Sequence, residues 1–132
     1  MNLQEMLDRE AIRYTMSVYN NCGDRRQIDE MITTFTPDGV LEYVGGSETF
    51  RGREQIKAFM TSFASTPPAP GKAKLIRHHL TTSRIEFTGP DTANAWTYTL
   101  LVRESGLVSS GIYIDQFVRV GERWLISKVD AF

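Results

Sequence analysis

The second half of the chain holds four long β-rich runs in succession, and this feature constrains the fold most. The runs cover residues 74–87, 92–104, 108–120 and 124–130. They are separated by the turn signals TGPD, ESG and GE, so each connection between them is short. Long consecutive strands joined by tight turns predict an antiparallel meander.

Three helices are predicted before these strands. Apolar residues of the first follow the spacing of one helix face, at Leu3, Leu7, Ala11, Tyr14 and Val18. A second apolar side holds Ile12, Met16 and Tyr19. The stop residues Asn21 and Gly23 place the end of this helix near NNCGD. A helix that is apolar on two sides is expected to lie clamped between other elements.

The next two helices are shorter. The second is predicted from a stripe with helical spacing, at Ile28, Met31, Ile32 and Phe35. TPDG then ends it and leads into the strand VLEYV, followed by a turn and a short return strand in GGSETFRG. The third helix covers residues 54–63, and STPPAPGK after it reads as an irregular loop.

Helices followed by an antiparallel sheet predict the α+β class, in a single domain spanning residues 1–132. Three N-terminal helices would pack on one face of a curved antiparallel β-sheet. A long, twisted sheet of this kind curls and leaves a cone-shaped pocket at its wide end. Ionisable residues on the concave face are therefore the candidates for chemistry.

Composition excludes several classes of function. A net charge of −1 gives no reason to expect nucleic acid or an anionic membrane as partner. No apolar run approaches the ~20 residues that span a bilayer, and the N-terminus is too charged for a secretory signal. The single cysteine, Cys22, excludes an internal disulfide, and no Cys/His cluster has metal-ligand spacing. We therefore expect a cytoplasmic protein without cofactor or metal.

Four ionisable positions lie in otherwise apolar elements. Tyr19 is on the first helix, Asp24 follows it, and Tyr43 is in the strand VLEYV. The fourth is one of the two histidines of RHHLTTSRIEF, His78 or His79, which as strand neighbours point to opposite faces. A histidine beside a carboxylate is a general base with a group that orients it, and a tyrosine hydroxyl can polarise a carbonyl or a leaving group.

Structural roles for the same residues remain open at this point. Asp24 with Gln27 fits a capping box that would begin the second helix. The two tyrosines fit core positions with a hydrogen bond at the rim. A strand histidine is more often a structural group than a base.

The chain resembles the SnoaL-like group of the nuclear transport factor 2-like superfamily. The resemblance is carried by REAIRYTMSVYNNCGDRRQIDEMITTFTPDGVLEYVGG, FRGREQIKAFM, RHHLTTSRIEF and SGIYIDQFVRVGERWLISK. The superfamily includes scytalone dehydratase, lindane dehydrochlorinase and bile acid 7α-dehydratase. The resemblance implies an α+β barrel, which agrees with the class predicted from the residues.

The resemblance also implies an Asp–His dyad. Its aspartate matches Asp24, and its histidine lies six residues before the arginine of Arg-apolar-Glu, here Arg84, which selects His78. A dehydratase tyrosine matches Tyr43, and a functional position five residues before the aspartate matches Tyr19.

Further residues are expected to contact substrate. The family would place Tyr113 and Asp115 of the last long strand inward, and Trp96 and Phe59 are candidates for the apolar wall. The dehydrochlorinase arginine after Trp-x-x-Ser-Lys is replaced here by Val129. Scytalone dehydratase has a second catalytic histidine late in the following strand, and the corresponding AWTYTLLVRE contains none. Neither specific activity is therefore carried over.

These features lead to one hypothesis and two alternatives. The hypothesis is a cofactor-independent lyase or isomerase, of the dehydratase or cyclase type, acting on a small, largely apolar molecule with Asp24 and His78 as general-base dyad. The first alternative is a non-catalytic small-molecule-binding or subunit protein on the same fold. The second alternative, epoxide hydrolysis, would need more carboxylates in the pocket than the sequence allows us to place there. Self-association as a dimer or trimer through the outer sheet face is expected.

Overall fold

The computed structural model describes residues 1–65 and 76–132. Its helices are α1 (Leu3–Asp24), α2 (Ile28–Ile32) and α3 (Gly52–Ser65). Its strands are β1 (Phe35–Tyr43), β2 (Glu48–Arg51), β3 (Arg77–Gly89), β4 (Thr92–Arg103), β5 (Gly106–Val120) and β6 (Arg123–Ala131). The loop predicted at STPPAPGK and the start of the first predicted run, residues 74 and 75, lie outside the described residues apart from Ser65.

The α+β class and the four-stranded meander are confirmed. Strands β3 to β6 pair antiparallel in sequence order, and the full sheet has the order β2-β1-β6-β5-β4-β3. Strand β1 runs parallel to β6, which makes the sheet mixed. β2 and β3 lie at its two edges, so the curved sheet is not closed into a continuous barrel.

The second predicted helix is too long at its C-terminal end. α2 ends at Ile32, and Phe35 begins β1 instead of completing the helical stripe. TPDG lies inside β1, where the pairing with β6 shifts register between Phe35 and Val40. Pro37 supplies no N–H to a ladder, and a Cβ on Gly39 would come within 2.9 Å of the Phe35 ring. The residues that suggested a break therefore form an irregularity within the strand.

The face of α1 that packs on the sheet is the second apolar side, and of the first predicted stripe only Ala11 and Val18 pack against the core. Leu3, Leu7 and Tyr14 are exposed, whereas Ile12 and Met16 are buried. The stripe misleads because polar residues complete the buried face of α1: Asp8, Thr15 and Asn20. Each has a hydrogen-bond partner on the sheet, which offsets the cost of removing a polar group from water.

Asp8 fixes the N-terminal half of α1 to the sheet. Arg119 of β5 donates to both Asp8 carboxylate oxygens, at 2.8 and 2.7 Å, and the Trp124 indole N–H donates to Oδ1 at 3.1 Å. The guanidinium of Arg119 also lies 4.7 Å over the Trp124 ring. The hydrogen bonds from Arg119 are the largest cause that lowers the pKa of Asp8 from its ordinary value of 3.8 to about 2.

We predict that Asp8→Asn lowers the free energy of unfolding by about 1–3 kcal/mol at pH 7, because hydrogen bonds to a charged group are lost. The folded pKa lies below the unfolded one, so the carboxylate stabilises the fold above about pH 4. That contribution is lost as the pH falls towards 2. The deficit of the variant should therefore shrink over this range, measured by urea unfolding.

Asp91→Asn is the matched control, because Asp91 is exposed and accepts from the same Arg119 at 3.0 Å. It should cost less than about 1 kcal/mol. An Asp8→Asn deficit that is the same at pH 7 and pH 2 would contradict the assignment.

Candidate active site

Asp24 and His78 meet where the end of α1 lies against the start of β3. Asp24 is the last residue of α1, and His78 is the second residue of β3. The two side chains are 13% and 29% exposed, so the pair is neither sealed in the core nor fully in solvent. Of the two adjacent histidines, His79 is exposed and pairs with Leu100, while His78 pairs with Leu101. The two rings therefore leave opposite faces of the sheet.

Both carboxylate oxygens of Asp24 are used on His78. Oδ1 lies 2.5 Å from the ring Nδ1, and Oδ2 accepts from the His78 backbone N–H at 2.7 Å. Since β3 is an edge strand, backbone N–H groups that point away from β4 need a partner from elsewhere, and Asp24 supplies one. The two contacts fix the position of the carboxylate relative to the ring.

The capping-box interpretation of Asp24 is wrong. The residue at the N-cap of α2 is Gln27, and it makes no side-chain cap hydrogen bond. Asp24 instead closes α1, which runs one residue past the predicted stop at Gly23 before Arg26 adopts a left-handed conformation with φ of 62°. The carboxylate is thereby directed to β3.

The contact with Asp24 determines which ring nitrogen of His78 is free. A carboxylate accepts hydrogen bonds, so Nδ1 carries the proton in the neutral ring and Nε2 keeps its lone pair. If Nε2 takes a proton, the adjacent carboxylate stabilises the imidazolium. The pair can therefore perform general-base chemistry at Nε2.

Tyr19 lies inside the fold, between α1 and the sheet. It is buried and makes edge-to-face contacts with Phe35 and Tyr113, with ring centroids 5.7 and 6.1 Å away. Burial raises the pKa of Tyr19 well above its ordinary value, and negative charge on Tyr113, Tyr43, Asp115 or Asp24 would raise it further. Tyr19 therefore lies within electrostatic range of each of these groups and stays neutral.

Tyr43 and Phe59 form an aromatic group at the end of β1. Their ring centroids are 5.8 Å apart, and Phe59 stacks on Phe50 of β2 at 4.0 Å. Burial and then the charge of Glu48 raise the pKa of the Tyr43 hydroxyl, so it too is a neutral donor. Among the described residues, the hydroxyls of Tyr19 and Tyr43 make no hydrogen bond.

Tyr113 and Asp115 both lie on the buried side of β5. The Tyr113 hydroxyl accepts a hydrogen bond from Asn20 Nδ2 at 3.1 Å, and burial raises the pKa of this phenol. Asp115 is 2% exposed, and burial alone raises the pKa of its carboxyl well above the ordinary value of 3.8. Asn20 was not predicted. Its position four residues before Asp24, on the same face of α1, was the signal that could have indicated it.

Trp96 does not join this group. Its neighbours in β4, Ala95 and Thr97, are fully buried, so Trp96 points to the opposite face, where it is 37% exposed beside Arg84 and Ile114. The strand register therefore does not support the prediction that Trp96 forms part of the apolar wall of the pocket. A large aromatic residue in a strand favours a buried face, but here the alternation of small buried residues decides the orientation.

No group of three or more His, Cys, Asp or Glu side chains is arranged to hold a metal ion within residues 1–65 and 76–132. In the same ranges, no helix combines the length and apolarity needed to cross a bilayer.

The architecture is an α+β fold in which a curved, open sheet covers one long helix and brings an Asp–His pair to one end. The chain belongs to the SnoaL-like domain family, whose model matches residues 4–130.

Solved structures share this fold across almost the whole chain. A protein of unknown function from Mycobacterium tuberculosis matches with a TM-score of 0.83 and 19% identity, over 98% of this chain and 73% of that one. A candidate scytalone dehydratase from Novosphingobium aromaticivorans has a TM-score of 0.81 and 20% identity, over 99% and 87%. Hexachlorocyclohexane dehydrochlorinase LinA-type3 from Novosphingobium barchaimii has a TM-score of 0.80 and 20% identity, over 100% and 90%.

Proposed function

We propose that this protein is a cofactor-independent lyase or isomerase that removes a proton from carbon next to an activating group of a small molecule. The observation that carries the proposal is the two-point contact of Asp24 with His78, at 2.5 Å to the ring and 2.7 Å to the backbone. It leaves Nε2 as the basic nitrogen and uses neither carboxylate oxygen for a helix cap.

Proton abstraction fits either reaction type. His78 Nε2 takes the proton, and the electrons of the C–H bond form a carbon–carbon double bond. In an elimination the leaving group departs with its bonding electrons, and a departing hydroxide takes a proton from a tyrosine hydroxyl or water. In an isomerisation the electrons move onto a carbonyl oxygen, and the proton returns at another carbon. Neutral tyrosines such as Tyr19 and Tyr43 are suitable donors to the oxygen that gains charge.

The named relatives agree with the elimination branch. One structural relative is a candidate scytalone dehydratase and another is a dehydrochlorinase, and both activities remove a proton from carbon as a neighbouring group leaves. The Asp–His dyad implied by the family resemblance corresponds to the two residues in contact here. We therefore favour a lyase over an isomerase.

The test is carried out in heavy water. It measures by NMR how fast the carbon-bound hydrogens of small cyclic ketones exchange for deuterium. We predict that the native protein accelerates exchange and that His78→Ala loses about 10²- to 10⁴-fold in rate, the usual contribution of a general base. The Asp24→Asn variant should also exchange hydrogen slowly, because the imidazolium of His78 loses its neighbouring carboxylate.

His79→Ala is the matched control, since this histidine is adjacent in sequence but exposed and leaves the opposite face of the sheet. It should exchange within a few-fold of the native rate. Equal exchange by the native protein and His78→Ala would exclude the proposed role of the dyad and favour the binding or subunit alternative.

We further propose that the outer face of the sheet carries a second copy of the chain. Three large apolar side chains are exposed there on adjacent strands: Trp96 at 37%, Tyr98 at 55% and Ile114 at 37%. A depression on the same face lies between Tyr98, Ile112 and other residues. Large apolar side chains that are exposed together on one sheet face favour burial against another protein surface.

A charge placed in the centre of this face should disrupt self-association. We predict that the native protein runs as a dimer or trimer in light scattering and that Tyr98→Glu runs as a monomer with its unfolding midpoint nearly unchanged. Tyr14→Glu is the control, because Tyr14 is also an exposed tyrosine, at 68%, but lies on α1. A native protein that remains monomeric at high concentration would contradict the proposal.

A further inference from the structure

Three buried polar side chains lie on facing elements, α1 and the inner side of β5, and one of them is one helical turn from Asp24 of the dyad. They are Asn20 of α1 and Tyr113 and Asp115 of β5, and we call them the inner polar cluster. Asn20 donates to the Tyr113 hydroxyl at 3.1 Å, and Asp115 lies two residues further along the same buried face of β5. Since Asn20 and Asp24 are four residues apart, they share a face of α1 about 6 Å apart along its axis.

The inner polar cluster has hydrogen-bonding capacity that the described protein does not use. Asn20 Oδ1 and Asp115 Oδ1 are buried and have no hydrogen-bond partner among the described residues. The Tyr113 oxygen accepts from Asn20, so its own O–H remains available as a donor. A buried polar atom left unpaired destabilises the fold, because it gives up its hydrogen bonds to water without replacement. Two such atoms on neighbouring elements indicate that a further group pairs with them.

The inner polar cluster contains no cationic side chain. Burial raises the pKa of Asp115 and of Tyr113, which favours the protonated form of each group. A protonated carboxyl has one O–H donor as well as acceptor capacity. The cluster therefore offers both donors and acceptors, and it provides no cation to balance a buried anion.

We propose that Asn20, Tyr113 and Asp115 form a subsite for an uncharged hydroxyl group of the substrate. The hydroxyl would donate to Asn20 Oδ1 and accept from the O–H of Tyr113 or Asp115, which satisfies atoms that are otherwise unpaired. This inference rests on the proposed function and adds a substrate class to it, that of hydroxylated ring compounds. Asn20 of the subsite and Asp24 of the dyad are about 6 Å apart along α1, which is roughly the width of a six-membered ring.

The alternatives lack the matching chemistry. A chlorinated hydrocarbon has no O–H to donate to Asn20 Oδ1, so binding would leave that acceptor unpaired. A carboxylate would be transferred from water to a buried, neutral environment without a counter-ion, which is strongly unfavourable. A hydroxyl both donates and accepts, and it carries no charge.

The test is binding of three probes of similar shape, phenol, toluene and chlorobenzene, to the native protein by titration calorimetry. We expect phenol to bind about tenfold more tightly than the other two, because only phenol pairs with the unpaired atoms. An ordinary apolar pocket gives the opposite order, since phenol is the most costly of the three to remove from water. An absence of phenol binding, or tighter binding of toluene, overturns the inference.

Variants identify the subsite. Asp115→Asn should keep the preference for phenol, since an amide also donates and accepts, whereas Asp115→Leu and Asn20→Leu should abolish it. Should a leucine variant fail to fold, the native probe series and Asp115→Asn still decide the outcome. In NMR spectra of the native protein, phenol should shift the side-chain amide resonances of Asn20 more than toluene does. An unchanged preference in a folded leucine variant overturns the inference.

His78→Ala separates this inference from the proposed function. It should lose hydrogen exchange but keep the preference for phenol, since His78 is not part of the inner polar cluster. A native protein that prefers phenol but exchanges no hydrogen would contradict the proposed function alone. A native protein that catalyses exchange but prefers toluene would contradict the subsite alone.

Discussion

The carboxylate of Asp24 is the contact on which the account of this protein depends. It joins the end of α1 to the start of β3, 54 residues further along the chain, through one bond to a ring and one to a backbone N–H. A single hydrogen bond would leave the carboxylate free to rotate, whereas two fix its plane. The same group therefore caps an open sheet edge and sets the tautomer of His78, which joins the stability of the fold to its chemistry.

The rest of α1 repeats this use of polar residues. Asp8 accepts from Arg119 and Trp124, and Asn20 donates to Tyr113, so the helix contacts the sheet through polar groups at several levels. Such contacts are directional, and they fix the rotation of the helix more precisely than apolar packing does. The orientation of Asp24 follows from that rotation. Among the described residues, the buried side-chain atoms without a hydrogen-bond partner are Asn20 Oδ1, Asp115 Oδ1, Arg9 Nε and Thr36 Oγ1.

The strands of the second half could be predicted because apolar and polar residues alternate along each one and a turn signal follows it. Both features are properties of the local sequence. The parallel pairing of β1 with β6 could not, since it joins residues some 90 positions apart. The register that puts Trp96 outward depends on the small residues Ala93 and Ala95 on the buried face. The stripe predicted on α1 was mostly wrong because polar residues complete the buried face of this helix, and a search for apolar spacing does not find them.

The residues of the candidate site also differ in whether the sequence could predict them. Asp24 and His78 were selected by resemblance to a family, and the structure brings them into contact. The inward placement of Tyr113 and Asp115 was implied by the same resemblance, and the structure buries both side chains. The unpaired atoms of Asn20 and Asp115 depend on the position of a helix over a sheet, which no local pattern specifies.

The tautomer of His78 is the most direct test of this account. Nitrogen-15 NMR of the imidazole, with the ring neutral, distinguishes a proton on Nδ1 from one on Nε2. We expect the proton on Nδ1 in the native protein and a loss of that preference in Asp24→Ala. A neutral ring that carries its proton on Nε2 in the native protein would contradict the account, because the nitrogen assigned as the base would then have no free lone pair.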